Sequence, residues 1–111
     1  MNAPHLIRFT SDFFHDLEQQ LAATRGPLGQ PSRTDFLEYE LPSIREIFST
    51  RFDELAPAIP GRSDYRVLIA SGSVVRAYSV VGQLIHDGTI EILQLDLELG
   101  WPNTPDDDPD D

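Results

Sequence analysis

The sequence contains no cysteine and no lysine. The absence of cysteine excludes disulfides, thiolate nucleophiles and sulfur-ligated metals. Because all eight basic residues are arginine, Schiff-base lysine chemistry and a lysine base with a tuned pKa are also excluded. No stretch approaches the roughly 18 apolar residues of a transmembrane helix, and no basic segment followed by an apolar run opens the chain. We therefore expect a cytoplasmic protein that does not associate with membranes.

Motifs that carry chemistry are missing as well. No serine lies in a Gly-x-Ser-x-Gly elbow, there is no glycine-rich phosphate loop, and His5, His15 and His86 are scattered along the chain. The sequence therefore predicts no catalytic residue, no metal site and no cofactor. A formal net charge of -11 opposes binding to nucleic acid, because nonspecific affinity for a polyanion comes mainly from cationic side chains.

What the chain does contain is a β-branched, apolar stretch from Tyr65 to Leu99. Turn signals at Ser71–Ser73 and His86–Thr89 divide it, and Asp-Gly between apolar runs favours a hairpin. We predict a three-stranded antiparallel meander over residues 65–70, 74–85 and 90–99. Leucines at 93, 95, 97 and 99 alternate with polar residues, while Ile90 and Ile92 have the opposite parity. Either a bulge near residue 93 or a strand covered on both faces would explain this.

The earlier chain reads as a cover for this sheet. Residues 6–10 have β character and predict an edge strand that joins the meander. A helix capped by Thr10 or Ser11 follows, with Phe13, Phe14 and Leu17 as core residues, and ends near Arg25 before a Gly/Pro-rich loop over residues 26–32.

A second helical region begins after Ser32 or Thr34. Pro42 predicts either a break or kink, or the first position of a new helix. From Ile44 to Leu55 apolar residues recur at helical spacing, and Pro57, Pro60 and Gly61 end the helix. 

The sequence thus predicts one α+β domain over residues 6–100, in which a short N-terminal strand and two helices pack on a three- to four-stranded antiparallel sheet. Residues 1–5 are expected to be flexible. Residues 101–111 read as a disordered acidic tail, and without its five aspartates the formal charge is still -6 out of -11.

Arg62, Arg66 and Arg76 lie at or within the predicted sheet. On one face, three guanidinium groups could recognise phosphate or carboxylate bidentately, and Arg66 and Arg76 could be cross-strand neighbours about the Ser71–Ser73 turn. The alternative is that they form ordinary sheet-surface pairs with acidic residues. Those acidic candidates are Asp64, Glu91, Asp96 and Glu98.

The order of parts resembles the RelE/ParE toxin superfamily over about residues 6–99. A strand and two helices precede a Pro/Gly-containing loop that leads to Tyr65–Val67, a strand bearing Tyr78, an Asp87-Gly88 turn and the strand beginning Ile90. The resemblance implies a compact α+β domain, usually encoded beside an antitoxin that wraps it. One branch of the family cuts mRNA on the ribosome, and another inhibits DNA gyrase.

The chain departs from the nuclease branch of that family. Nuclease members use clusters of lysine or arginine and often a terminal His or Tyr, whereas this chain has Asp96–Glu98 at that place. Only Arg66 carries over, and preorganised positive charge is what stabilises a phosphoryl transition state. The resemblance therefore implies a non-nucleolytic protein that binds an antitoxin or a target such as gyrase. Its candidate binding residues are Arg62, Tyr65, Arg66, Arg76 and Tyr78.

Two other classes of function remain open. The charge of -11 suits a small acidic interaction module, such as an immunity protein, a secretion chaperone or an anti-CRISPR-like inhibitor, that presents carboxylates to a basic partner. An enzyme acting on small molecules is the other class, with Arg66, Tyr78 and His86 as its best candidate residues.

Overall fold

The computed structural model describes residues 4–99. The elements are β1 (Ile7–Phe9), α1 (Ser11–Gln20), α2 (Arg33–Tyr39), α3 (Leu41–Thr50), a 3₁₀ turn (Phe52–Glu54), β2 (Ala56–Ile59), β3 (Arg62–Ser71), β4 (Ala77–Leu84) and β5 (Ile90–Glu98). The predicted acidic tail and residues 1–3 of the predicted flexible N-terminus lie outside the described residues. His5 belongs to that predicted N-terminus, and its amide donates to the Ser49 carbonyl at 3.0 Å. Between residues 4 and 99, no helix has the length and apolar character needed to span a membrane.

The strands form one five-stranded mixed sheet in the order β1-β5-β4-β3-β2. The antiparallel meander is confirmed: it comprises β3, β4 and β5, with Val67 opposite Val81 and Val80 opposite Leu95. β1 is an edge strand beside the meander, as predicted, but it runs parallel to β5. The prediction of a purely antiparallel sheet is therefore wrong for this pair. A parallel pair needs a long crossover, which here is the whole chain between β1 and β5.

β2 was not predicted, because Pro57, Pro60 and Gly61 indicated only the end of a helix. Residues Ala56–Ile59 nevertheless pair antiparallel with β3. β2 lies at the outer edge of the sheet, where a proline without an amide hydrogen is tolerated. Gly61 has a φ of +79° in the turn to β3, a conformation that glycine adopts readily. The sheet therefore has five strands instead of three to four.

Residues 4–99 contain three helices instead of the predicted two, because a new helix begins at Pro42 and its neighbour Leu41. Ser32 caps α2 in a capping box with Asp35, and α2 ends at Tyr39. Pro42 lies in the first turn of α3, where its missing amide hydrogen is not needed. Of the two predicted outcomes at Pro42, a new helix is the one observed.

α1 ends five residues earlier than predicted. Thr10 is its N-cap and accepts a hydrogen bond from the Phe13 amide. The prediction of Phe14 as a core residue is wrong: it is 38% exposed, because it lies about 100° around the helix from Phe13. After Gln20 the chain leaves the helix, and the Leu21 and Ala22 carbonyls instead accept hydrogen bonds from Arg33, at 2.9 Å each. These bonds hold the loop between α1 and α2 against the start of α2.

The helices cover one face of the sheet and form the core with it. Phe13, Phe36 and Phe48 have no exposed surface, and they pack with sheet residues such as Val80 and Ile92. Gly82 on β4 lies against Phe48, and a Cβ there would come within 2.6 Å of the Phe48 ring. A side chain at Gly82 would therefore displace the central ring of the core.

β4 begins at Ala77, three residues later than predicted, because the preceding loop binds a carboxylate. Glu40, between α2 and α3, is only 2% exposed, and its Oε2 accepts hydrogen bonds from the amides of Val74 at 2.7 Å and Val75 at 3.1 Å. A Cβ at Gly72 would lie 2.5 Å from the same oxygen. Gly72 thus lets the loop close around the Glu40 side chain, and the amides of Val74 and Val75 are not free for strand pairing.

The predicted bulge in the last strand is confirmed. Val81 lies opposite Gln94, but the next residue, Gly82, lies opposite Ile92, so Leu93 is an extra residue in β5. A bulge of this kind changes which parity of a strand faces the core. Ile90, Ile92 and Leu95 all reach the core side as a result.

Candidate functional site

Arg66 is the one residue that the resemblance to the nuclease branch singles out, and backbone carbonyls of its own chain bind its guanidinium. It lies opposite Gly82, on the face that the helices cover. Its guanidinium donates to the Ser63 carbonyl at 2.7 Å and the Leu55 carbonyl at 2.8 Å, and lies 5.5 Å from the centre of the Phe52 ring. These contacts tie β3 to the 3₁₀ turn, so Arg66 has a structural role here.

Tyr78 lies on the same covered face. It is 4% exposed and packs edge-on against Phe36 at 6.3 Å between ring centres. Burial, with a smaller contribution from the nearby Glu40 carboxylate, raises the pKa of the Tyr78 hydroxyl. Tyr78 is therefore a core residue, and a partner could not reach it without unfolding the core.

Arg62 and Tyr65 lie together near the start of β3. Arg62 donates to both carboxylate oxygens of Asp64, at 3.0 and 2.9 Å, and its guanidinium lies 4.9 Å from the centre of the Tyr65 ring. The hydrogen bond from Arg62 lowers the pKa of Asp64, and a further bond from Gln83 acts in the same direction. This pair of candidates is thus brought together, but its cation is already matched by a carboxylate.

Arg76 lies two residues before Tyr78, but it does not join Arg62 and Arg66. It precedes β4 in the loop after Gly72, and its Nε is 3.8 Å from Glu98. The prediction that Arg66 and Arg76 are cross-strand neighbours is wrong, because Gly82 is the residue opposite Arg66. The three arginines do not gather on one face. Arg62 and Arg76 pair with acidic residues, as in the alternative that the sequence left open, whereas Arg66 donates to backbone carbonyls, which neither interpretation predicted.

Among residues 4–99, no helix covers the second face of the sheet, and we call it the open face. Its side chains stand in four rows across the three central strands, because residues paired across strands share a face. The rows are Tyr65-Gln83-Glu91, Val67-Val81-Gln94, Ile69-Ser79-Asp96 and Ser71-Ala77-Glu98. The β3 side of the open face is mostly apolar, the β4 positions are mostly small or polar, and the β5 side is acidic and polar.

The open face therefore has an apolar flank on β3 and an acidic flank on β5. Ile69 is 72% exposed, and Val67 lies in the next row on the same face. A depression of about 180 Å³ lies beside it and reaches Asp96 and Glu98 across Ala77 and Ser79. The face could therefore contact apolar and cationic groups at the same time.

Side chains from α1 form hydrogen bonds with the backbone groups at the free edge of β5. β1 pairs with the first part of β5, and within the described part of the chain the backbone from Leu95 onward has no strand partner on that side. The Gln20 amide group donates to the Leu95 carbonyl at 2.7 Å and accepts from the Leu97 amide at 2.6 Å, and Asp16 accepts from the Leu95 amide at 3.0 Å. Sequence reasoning missed this contact, although the i, i+4 spacing of Asp16 and Gln20 places them on one side of α1.

The arrangement offers no catalytic centre built on the residues proposed for an enzyme. Tyr78 is buried near the start of β4, Arg66 lies beneath the 3₁₀ turn, and His86 is in the hairpin after β4, roughly 25 Å along the extended chain from Tyr78. Across the described range, no three His, Cys, Asp or Glu side chains converge as metal ligands would. His5 bonds through Nδ1 to the Gly88 carbonyl at 2.8 Å and so helps to fix the N-terminal strand.

The chain was compared with protein-family models, with curated proteins and with solved structures, and none of the three comparisons found a match.

Proposed function

We propose that this protein acts by binding another protein through the open face, as a RelE/ParE-like toxin-fold protein without nuclease activity. The observation that carries the proposal is the open face itself. It combines an exposed apolar flank, centred on Ile69, with an acidic flank at Asp96 and Glu98. Exposed apolar patches that are bordered by polar residues are typical of protein interaction sites. The order of a strand, helices and a meander supports the RelE/ParE-like part of the proposal.

The charge distribution supports a protein target over RNA. The arginine that resembles a nuclease residue, Arg66, donates to backbone carbonyls, and Arg62 is matched by Asp64. The open face presents the carboxylates of Asp96 and Glu98, and its Arg8 is paired with Glu91, whereas phosphate binding would need unmatched cations. An antitoxin or a topoisomerase such as gyrase is the partner class that this proposal names.

A second candidate is an acidic interaction module, such as an immunity protein, a secretion chaperone or an anti-CRISPR-like inhibitor. The acidic residues on β5 favour it, because a carboxylate-rich surface accelerates association with a basic partner. Both candidates use the same face. They differ in whether the free protein harms the cell that makes it.

Induced expression of the chain without a neighbouring antitoxin separates the two candidates. The toxin proposal predicts growth arrest with intact mRNA, and inhibition of plasmid supercoiling by gyrase in the gyrase-directed form. Normal growth at high expression would refute it and would leave the acidic module. Cleavage of mRNA on the ribosome would refute the non-nucleolytic part.

A further inference from the structure

We infer that the open face binds one amphipathic α-helix of the partner protein, with arginine or lysine along one flank of that helix and apolar residues along the other. This inference rests on the proposed protein-binding function and names the chemistry of the partner at the same face. It follows from the width, the length and the charge of the open face.

The width fits a single helix. β3 and β5 are two strand spacings apart, about 10 Å, which matches the diameter of an α-helix. Between them, β4 contributes the small side chains of Ala77 and Ser79. The depression of about 180 Å³ lies over these two residues. A helix lying along β4 would therefore contact both flanks at once.

The length fits about three and a half helical turns. The rows from Ser71 to Tyr65 extend about 20 Å along β3, which corresponds to about 13 helical residues. Successive carboxylates on a strand are about 7 Å apart, whereas one helical turn rises about 5.4 Å. Long, flexible arginine or lysine side chains can span that difference.

The charges on the open face determine which side of the partner helix faces β5 and which side faces β3. Asp96 and Glu98 require cations on the β5 flank, and Ile69 requires apolar residues on the β3 flank. Arg76 lies 3.8 Å from Glu98, with 69% of its side chain exposed. A water-exposed pair of this kind contributes little, so a partner cation can replace Arg76.

Other occupants fit the open face less well. A second copy of the chain would bring another charge of -11 against the acidic flank. The aspartates at residues 106–111 have the same sign as Asp96 and Glu98. An extended strand would need free backbone groups, and those of the three central strands are engaged in the ladders.

The test titrates the isotopically labelled full chain with three designed 14-residue peptides, followed by NMR. One peptide is an amphipathic helix with lysine on one flank and leucine on the other, the second has the same composition in scrambled order, and the third carries glutamate in place of lysine. We expect only the first to bind. The shifted amides should include Ile69, Ser79 and Asp96, and the affinity should fall as salt is raised.

Matched variants sharpen the test. The double variant Asp96→Asn/Glu98→Gln should weaken binding of the first peptide about tenfold, and Ile69→Ser should weaken it several-fold. The controls are Glu18→Gln/Glu46→Gln, which removes two exposed carboxylates from the helical layer, and Leu28→Ser, which removes an apolar residue that is 69% exposed. Neither control should change the affinity.

Equal binding of the scrambled peptide, or shifts confined to the helical layer, would overturn the inference. If no peptide binds while the chain still arrests growth, the helix chemistry is wrong and the proposed function stands. If the first peptide binds as expected but expression leaves growth normal, the inference holds and the toxin proposal fails.

Discussion

The two faces of the sheet are built from the same strands but have opposite roles. On the covered face, residues such as Leu68, Val80 and Leu95 meet the aromatic side chains of the helices and are nearly free of solvent. On the open face, Ile69 and Asp96 share a row and face water. The fold therefore depends on the residues that face the helices, and the residues that face the other way are available for binding.

Changes on the two faces should differ most for large apolar residues. Phe48→Ala removes a ring with no exposed surface and should lower the free energy of unfolding by about 3–5 kcal/mol. Ile69→Ala, on the open face, should change it by about 0.5 kcal/mol or less. Urea unfolding of both variants measures the difference, and similar losses would show that the open face is also part of the core.

The carboxylate of Glu40 should matter far more than any carboxylate on an exposed surface. Glu40→Ala leaves the Val74 and Val75 amides without their acceptor in a buried loop and should cost about 2 kcal/mol. Glu46→Ala, on the exposed side of α3, is the control and should be nearly neutral. Comparable values for the two variants in urea unfolding would contradict the role assigned to Glu40.

The part of the β5 edge that β1 does not reach lies between the two faces of the sheet. Gln20 is expected to keep the backbone groups there hydrogen-bonded. Gln20→Ala should lower stability by about 1 kcal/mol and speed hydrogen exchange of the Leu97 amide, since that amide loses its acceptor. Gln19→Ala changes the neighbouring exposed glutamine and serves as the control. An unchanged exchange rate at Leu97 in the Gln20 variant would argue against the contact.

A smaller effect on stability is expected when the pH is lowered, through Asp35 in the helical layer. A hydrogen bond from the Arg25 guanidinium lowers the pKa of the Asp35 carboxyl below its ordinary value of 3.8, and a second bond from the Ser32 amide acts in the same direction. A carboxylate with a lowered pKa in the folded state stabilises the fold above the unfolded pKa, and this stability is lost as pH falls through the folded pKa. Below pH 3.8, the unfolding free energy of Asp35→Asn should therefore fall less steeply with decreasing pH than that of the wild type. Identical pH profiles would contradict the pairing of Asp35 with Arg25.

Periodicity predicted much of the fold, because it reports directly on which residues a helix or strand buries. The helical spacing of Ile44 and Phe48, and the parity change around Leu93, both correspond to what the structure contains. β2 was missed because proline is a poor strand residue except at an edge, and a sequence does not show which strand is at the edge. The parallel direction of β1 likewise depends on how the whole chain crosses over.

The candidate site was harder to predict, because side-chain partners distant in sequence determine it. Arg66 and Tyr78 were chosen as chemically capable residues, but backbone carbonyls engage the first and Phe36 covers the second. The acidic side chains along β5 could be predicted from the alternation of polar and apolar residues in the sequence. Its position across from Ile69 required the register of three strands.

We expect the open face to bind a protein and to contribute little to the fold. The most direct measurement compares the wild type with the variant Ile69→Ser/Asp96→Asn/Glu98→Gln, in urea unfolding and in growth after induced expression. We predict nearly the same unfolding midpoint for both proteins, with growth arrest by the wild type only. Arrest by both proteins, or a variant that no longer folds, would contradict the claim.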